Sequence, residues 1–242
     1  MSRFNGLTQL FPLLAGTIPG RTEQSSRVGP DEIVRKMRLD YLYSQKDLNQ
    51  KALDGVMTLF AHLQRSDFSL DEFMNEALNL IRRRLWIREV TVALKDRRDG
   101  KFRYRYQAGL RREAWDAHLL LEYGAEDYLD PTVYKAREIS KLTTLFLAED
   151  NPYGKNEDGT FSRPAMLESK RVALEDSIEG DYFDVWIMGR DREVLGWVEF
   201  NGTTAGKFPD TMTIKWVEVI STVMGTALML SESKGFRAAA PQ

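Results

Sequence analysis

Two histidines, His62 and His118, and no cysteine are what this chain offers as strong ligands and nucleophiles. The lack of cysteine removes disulfides, thiolate metal sites, cysteine nucleophiles and thioether-linked chromophores together. A metal site needs three or four ligands in fitting geometry, and neither histidine has a second at helical spacing, so no metal is expected. His118 has Trp115 nearby and Glu122 one helical turn on, where a carboxylate could hydrogen-bond the imidazole and raise its pKa. It is either a pocket residue or a surface or half-buried structural one. Glu199 sits mid-strand, flanked by Trp197 and Phe200. An isolated buried charge is costly, so this carboxylate must be solvated or paired. Facing a pocket, it would favour a cationic or hydrogen-bond-donating ligand. The aromatics Trp115, Tyr123, Tyr128, Tyr134, Phe146, Tyr153, Phe183 and Trp186 suit pocket walls or a core. The candidate ligand-binding set is Trp115, His118, Tyr128, Tyr134, Phe146, Tyr153, Trp186 and Glu199. No nucleophile–base pair, glycine-rich phosphate loop or carboxylate dyad is present, and the chain reads as a non-enzyme.

The charge distribution is uneven. Between Arg82 and Arg112 there are 12 basic residues against 3 acidic, in a chain of net charge −2. Arg97, Arg98, Lys101, Arg103 and Arg105 form a candidate basic face towards a partner or anion. Lys101, Arg103 and Arg105 alternate with Phe102, Tyr104 and Tyr106, so cations and rings fall on opposite strand faces and make no common stacking platform. Nucleic acid is therefore not the expected partner. Acidic residues including Glu113, Asp116 and Glu122 follow at once and can neutralise the patch.

The positioning elements are legible in turn. Residues 1–30, rich in Gly, Pro and Ser, read as a flexible tail, or as a docking segment through Leu7, Leu10, Phe11, Leu13 and Leu14. Pro30-Asp31 opens a long helix over 31–64, and Ser69 with Glu72 caps a second. Alternating runs about Arg97-Arg98-Asp99-Gly100 predict a hairpin. Arg111–Tyr123 reads as a helix, Asp130–Arg137 as a short one and Leu142–Leu147 as a strand. The polar stretch Ala148–Glu179 reads as a lid or mobile loop. Tyr182–Met188 and Val194–Asn201 form a second hairpin, with Val194, Gly196, Val198 and Phe200 on one face and Leu195, Trp197 and Glu199 on the other. A closing helix runs from about Pro209 past Leu230, its stripe Trp216, Val219, Ile220, Val223, Ala227 and Leu230. A short tail, 233–242, is expected to be disordered. No window holds the roughly 18–20 uninterrupted apolar residues of a membrane span, and a cytoplasmic location is expected.

The order of these elements, with the closing phrase Tyr182–Ile187, Val194–Phe200 and Val217–Leu230, resembles the GAF domain family over roughly residues 50–232. The resemblance implies an α+β fold: a central antiparallel sheet, terminal helices on one face and a loop-covered small-molecule pocket on the other. It also implies a single domain, 31–232, acting as a sensory or regulatory module. Bilin attachment and methionine sulfoxide reduction on this fold need cysteines, so a covalent bilin is excluded, and the cyclic-nucleotide signature has no counterpart; the cofactor stays unknown. No room for an output domain follows Leu230, so a stand-alone module working through a separate output protein is expected. The first expectation is a non-enzymatic protein binding a small molecule between the sheet and the 148–179 loop, signalling through a helix-mediated homodimer or a partner. The alternatives are a scaffold subunit with a degenerate pocket and, more weakly, a nucleic-acid-associated regulator using the basic hairpin.

Overall fold

The computed structural model describes residues 33–39, 47–128, 134–150, 153 and 157–239, the side chains of Tyr128 and 234–239 excepted. The tail 1–30, the Pro30-Asp31 helix start and the Asp130-Pro131 helix start lie outside the described residues. The chain divides into two units, Met1–Tyr43 and Ser44–Gln242. In the first, residues 33–39 are helical. The second carries the sheet.

The expected continuous helix 31–64 is corrected at Asp47. Asp47 has extended backbone (φ −74°, ψ 139°) and its side chain accepts from the Asn49 N–H. An aspartate that takes a backbone N–H this way begins a helix instead of continuing one. Helix α1 is thus Leu48–Leu63, and α2, Leu70–Arg84, is capped by Ser69, whose hydroxyl accepts from the Glu72 N–H at 3.4 Å.

Seven strands form one antiparallel sheet: β1 Val90–Lys95, β2 Phe102–Ala108, β3 Glu122–Tyr123, β4 Arg137–Glu138, β5 Thr143–Phe146, β6 Tyr182–Met188 and β7 Val194–Phe200, in the order β3-β2-β1-β7-β6-β5-β4. Two short helices, α3 Arg112–His118 and α4 Ala125–Tyr128, separate β2 from β4. The expected helix Arg111–Tyr123 therefore ends at His118, and Arg137 belongs to a strand. The segment after β5 is not structureless: it holds a 3₁₀ turn at Ala148–Asp150 and helix α5, Arg163–Glu168.

Helices α1, α2 and α6, Thr211–Ala239, cover one face of the sheet. Val90, Val92, Val185, Ile187 and Val198 meet Leu59, Phe73, Ile81, Ile220 and Met224 there, all buried. The α6 stripe is rotated from the expected one: Val217 and Met224 are buried with Ile220, Val223 and Ala227, while Val219 and Leu230 are exposed. The segment Thr211–Ser233 is the one stretch, among the described residues, long and apolar enough to cross a membrane. Its apolar side faces the sheet, which accounts for that composition. The helix runs on to Ala239, so the tail 233–242 begins as helix; no proline interrupts before Pro241 and the alanines favour continuation.

Two bulges reset the strand faces. Val92 pairs with Tyr106 but Ala93 with Tyr104, leaving Arg105 extra. Phe102 and Tyr104 consequently join the core on the side away from the helices, while Tyr106 turns to the helix side and donates to Asp71 of α2 at 2.6 Å. The expected common face for all three rings is corrected by that one residue. In β7, Ile187 pairs with Gly196 and Met188 with Val194, so Leu195 is extra and the faces of Val194 and Leu195 are exchanged relative to strict alternation. Gly196 is required at the bend, because a Cβ there would overlap the Ala93 carbonyl oxygen.

Candidate functional site

Across the face away from the helices runs a polar row, one residue from each successive strand. Gln107 pairs with Thr91, Thr91 with Glu199, Glu199 with Asp184, and Asp184 with Thr144. Directly opposed residues of an antiparallel sheet share a face, so two carboxylates lie side by side in the middle of the sheet. Asp184 is fully buried. Burial, reinforced by the charge of Glu199, pushes its pKa well above the usual carboxylate range.

Glu199, beside it, is only half-buried. Its Oε2 accepts from the Tyr104 hydroxyl at 2.5 Å, and its Oε1 lies 3.5 Å from His118 Nε2. His118 ends α3, where Ala114 and His118, one turn apart, form the buried side of that helix. Its Nδ1 donates to the Ala114 carbonyl at 2.7 Å, which turns Nε2 towards Glu199. Burial disfavours a charged imidazole, but the Glu199 carboxylate more than offsets it and raises the His118 pKa above its ordinary 6.5. The Tyr104 ring meets the imidazole edge-on, centroids 4.6 Å apart. Burial and the facing Glu199 raise the Tyr104 pKa, so its hydroxyl stays protonated and donates.

A second carboxylate closes the cavity from the far side. Glu157, 5 % exposed, accepts from the Tyr123 hydroxyl at 2.6 Å and the Tyr134 hydroxyl at 3.0 Å. Both phenols have pKa values raised by burial and by Glu157, and both remain donors. The stretch leading back to β6 is clamped. Asp181 accepts from the backbone N–H of Ala148 at 3.0 Å and of Ile178 at 2.8 Å, and pairs with Arg171 at 2.9 Å. Arg171 also binds Glu149 and lies over the Phe208 ring. Tyr153 stacks on Phe161 at 3.9 Å and donates to the Gly180 carbonyl.

Between these walls lies a cavity of about 80 Å³. That is room for several water-sized groups, one water taking about 10–15 Å³ on this measure. Of the eight residues singled out from sequence, His118, Tyr134, Tyr153 and Glu199 line it. Trp115 stacks behind His118, centroids 6.4 Å apart. Phe146 stacks on Tyr182 at 4.5 Å and Trp186 packs edge-on against Trp197, so both belong to the small aromatic core beneath the cavity. Tyr128 is the last residue of α4, and its side chain lies outside the described residues. Thr91, Tyr104, Tyr123 and Glu157 also line the cavity and were not singled out as site residues. For Tyr104 the signal was its place in the Phe102–Tyr106 alternation. Glu157 lies in an Asn/Asp/Gly-rich run with no pattern at all.

The candidate basic face is paired within the chain. Arg103 pairs with Asp99 at 2.6 Å and Glu122 at 2.8 Å, Lys101 with Glu122, Arg98 and Arg105 with Asp96, and Arg97 with Glu232. Acidic turn residues and the neighbouring strand β3 compensate the cations within the chain. Among the described residues, no group of three or more His, Asp and Glu is placed to hold a metal ion.

No family model matches the sequence, and no curated protein is detectably similar to it. Solved structures are similar in fold. The GAF domain of a phosphoenolpyruvate-protein phosphotransferase from Coxiella burnetii superposes with a TM-score of 0.50 at 12% identity, over 77% of this chain and 97% of that one. The GAF domain of the corresponding Acinetobacter protein gives 0.48 at 15% identity over 78% and 96%, and that of a GAF domain/HD domain protein from Geobacter sulfurreducens gives 0.47 at 16% over 71% and 99%. The curled antiparallel sheet with its helices is a GAF-like α+β fold.

Proposed function

We propose that this chain is a non-enzymatic sensory or regulatory module whose GAF-like domain binds a small molecule in the cavity between the sheet and the segment after β5. The observation that carries the reading is that cavity, floored by Thr91 and Glu199 of the central strands and roofed by Tyr153 and Glu157. A fold that needed only stability would fill this space with apolar side chains, as the helix face does.

Occupancy would be read out through the terminal helices. Leu53, Met57 and Phe60 recur on α1 at four- and three-residue steps and are 44–60 % exposed, a stripe suited to a second copy or to a separate output protein. The compensated basic hairpin speaks against nucleic acid as that partner. Native mass spectrometry of the protein purified from its own host, before and after denaturation, tests the reading. A releasable small mass at stoichiometric occupancy supports it. An empty protein that no small molecule stabilises would contradict it.

A further inference from the structure

We propose that the cavity selects a small organic cation bearing N–H groups, a compact primary ammonium or amidinium compound, with Glu199 and Thr91 as its acceptors. This rests on the cavity being a binding site and names what it takes.

The wall contains five carboxylates, Glu89, Glu157, Glu179, Asp181 and Glu199, and no lysine or arginine among its described residues. Asp181 is committed to Arg171 and two backbone N–H groups, and Glu179 accepts from the Ser162 N–H at 2.7 Å with Arg88 at 3.8 Å. Glu199 faces the cavity with its charge shared only between a phenol and an imidazole at 3.5 Å.

Several donors of the wall are spent on protein acceptors: Tyr104 on Glu199, Tyr123 and Tyr134 on Glu157, Tyr153 on Gly180 and the Asn201 amide on Glu89. A ligand carboxylate or phosphate would thus meet like charge and few donors. The same bonds leave the phenol rings as walls, and aromatic faces attract cations.

A separate observation points to a polar, hydrogen-bonding group on the ligand. Thr91 lines the cavity, is 2 % exposed, and its Oγ1 has no hydrogen-bond partner in the protein. It stands directly across from Glu199 in the sheet, so one N–H-bearing group can reach both. A buried hydroxyl without a partner is costly, and an ammonium supplies the missing bond while neutralising the carboxylate. The absence of a metal-binding group among the described residues and the small volume favour a compact organic cation.

The test is calorimetric titration and thermal melting of the full chain with n-butylamine, butan-1-ol, butyrate and tetramethylammonium at fixed ionic strength. The expected result is a saturable stabilisation by butylammonium, a weaker one by tetramethylammonium, which has no N–H, and none by the alcohol or the acid. Glu199→Gln should weaken butylammonium binding by about tenfold or more, and Thr91→Val by roughly three- to tenfold. Should Glu199→Gln not fold, Thr91→Val carries the same test. Stabilisation by butyrate or butan-1-ol equal to that by butylamine, lost in the same variants, would overturn the cation while leaving the cavity as a binding site. Butylammonium binding unchanged in both variants would overturn the assignment to Glu199 and Thr91. No response to any of the four probes would overturn the inference, and the native mass of the host-purified protein then decides whether the cavity is a site at all.

Discussion

On the helix side of the sheet, Val92, Val185, Ile187 and Val198 are buried to the last few per cent against aliphatic helix residues. One position along the same strands, Thr91, Asp184 and Glu199 point the other way, among tyrosines and a histidine. The first face is closed by shape and the second by hydrogen bonds to two carboxylates. Apolar packing stabilises without regard to what arrives, whereas a polar cavity keeps unsatisfied acceptors that only a water or a ligand can meet. The contrast assigns stability chiefly to one face and recognition to the other.

Variants can break that division. The largest effect is expected on the helix face: Ile220→Ala should cost about 2–5 kcal/mol through lost transfer energy and an unfilled cavity, read as a large fall in the chemical-denaturation midpoint. Tyr123→Phe removes a donor to the buried Glu157 carboxylate and should cost about 1.5–3 kcal/mol with the sheet intact by circular dichroism.

Asp184→Asn should act in the opposite direction. The folded-state pKa of Asp184 is raised, so its contribution to stability is complete below the unfolded carboxylate value and is lost as pH rises, at about 1.4 kcal/mol per unit of elevation. Asparagine does not titrate. The variant should melt alongside the parent near pH 4 and increasingly above it towards pH 8, and parallel melting curves across that range would remove Asp184 from the polar row. The smallest effect is expected at Arg103→Ala, because its pairs with Asp99 and Glu122 are exposed and screened; its melting temperature should not leave the scatter of the parent.

Much of the fold could be read from residue order. Asp99-Gly100 turns the first hairpin with Gly100 at φ +76°, Ser69 caps α2 as its spacing with Glu72 predicts, and the apolar periodicity of α6 marks the covering helix. The errors have local causes. Strict alternation cannot register an extra residue, so the bulges at Arg105 and Leu195 moved Tyr106, Val194 and Leu195 to unexpected faces. Strands of two residues, Glu122–Tyr123 and Arg137–Glu138, are too short to carry a pattern. Asp47 broke the first helix because a side-chain acceptor outcompeted a continuous apolar run. At the site, Glu199 stood out because a carboxylate inside an apolar strand demands a reason. Thr91 and Glu157 did not, since a threonine in a strand and a glutamate in a polar loop are ordinary until the chain brings them together.

The most direct measurement is the NMR titration of the His118 imidazole. In the parent, His118 faces Glu199 and the Tyr104 ring, with Glu89 nearby, and donates to the Ala114 carbonyl. It should titrate above 6.5, and in Glu199→Gln that midpoint should fall. A His118 midpoint at or below 6.5 that Glu199→Gln leaves unchanged would contradict the Glu199–His118 pair and the polar site built around it.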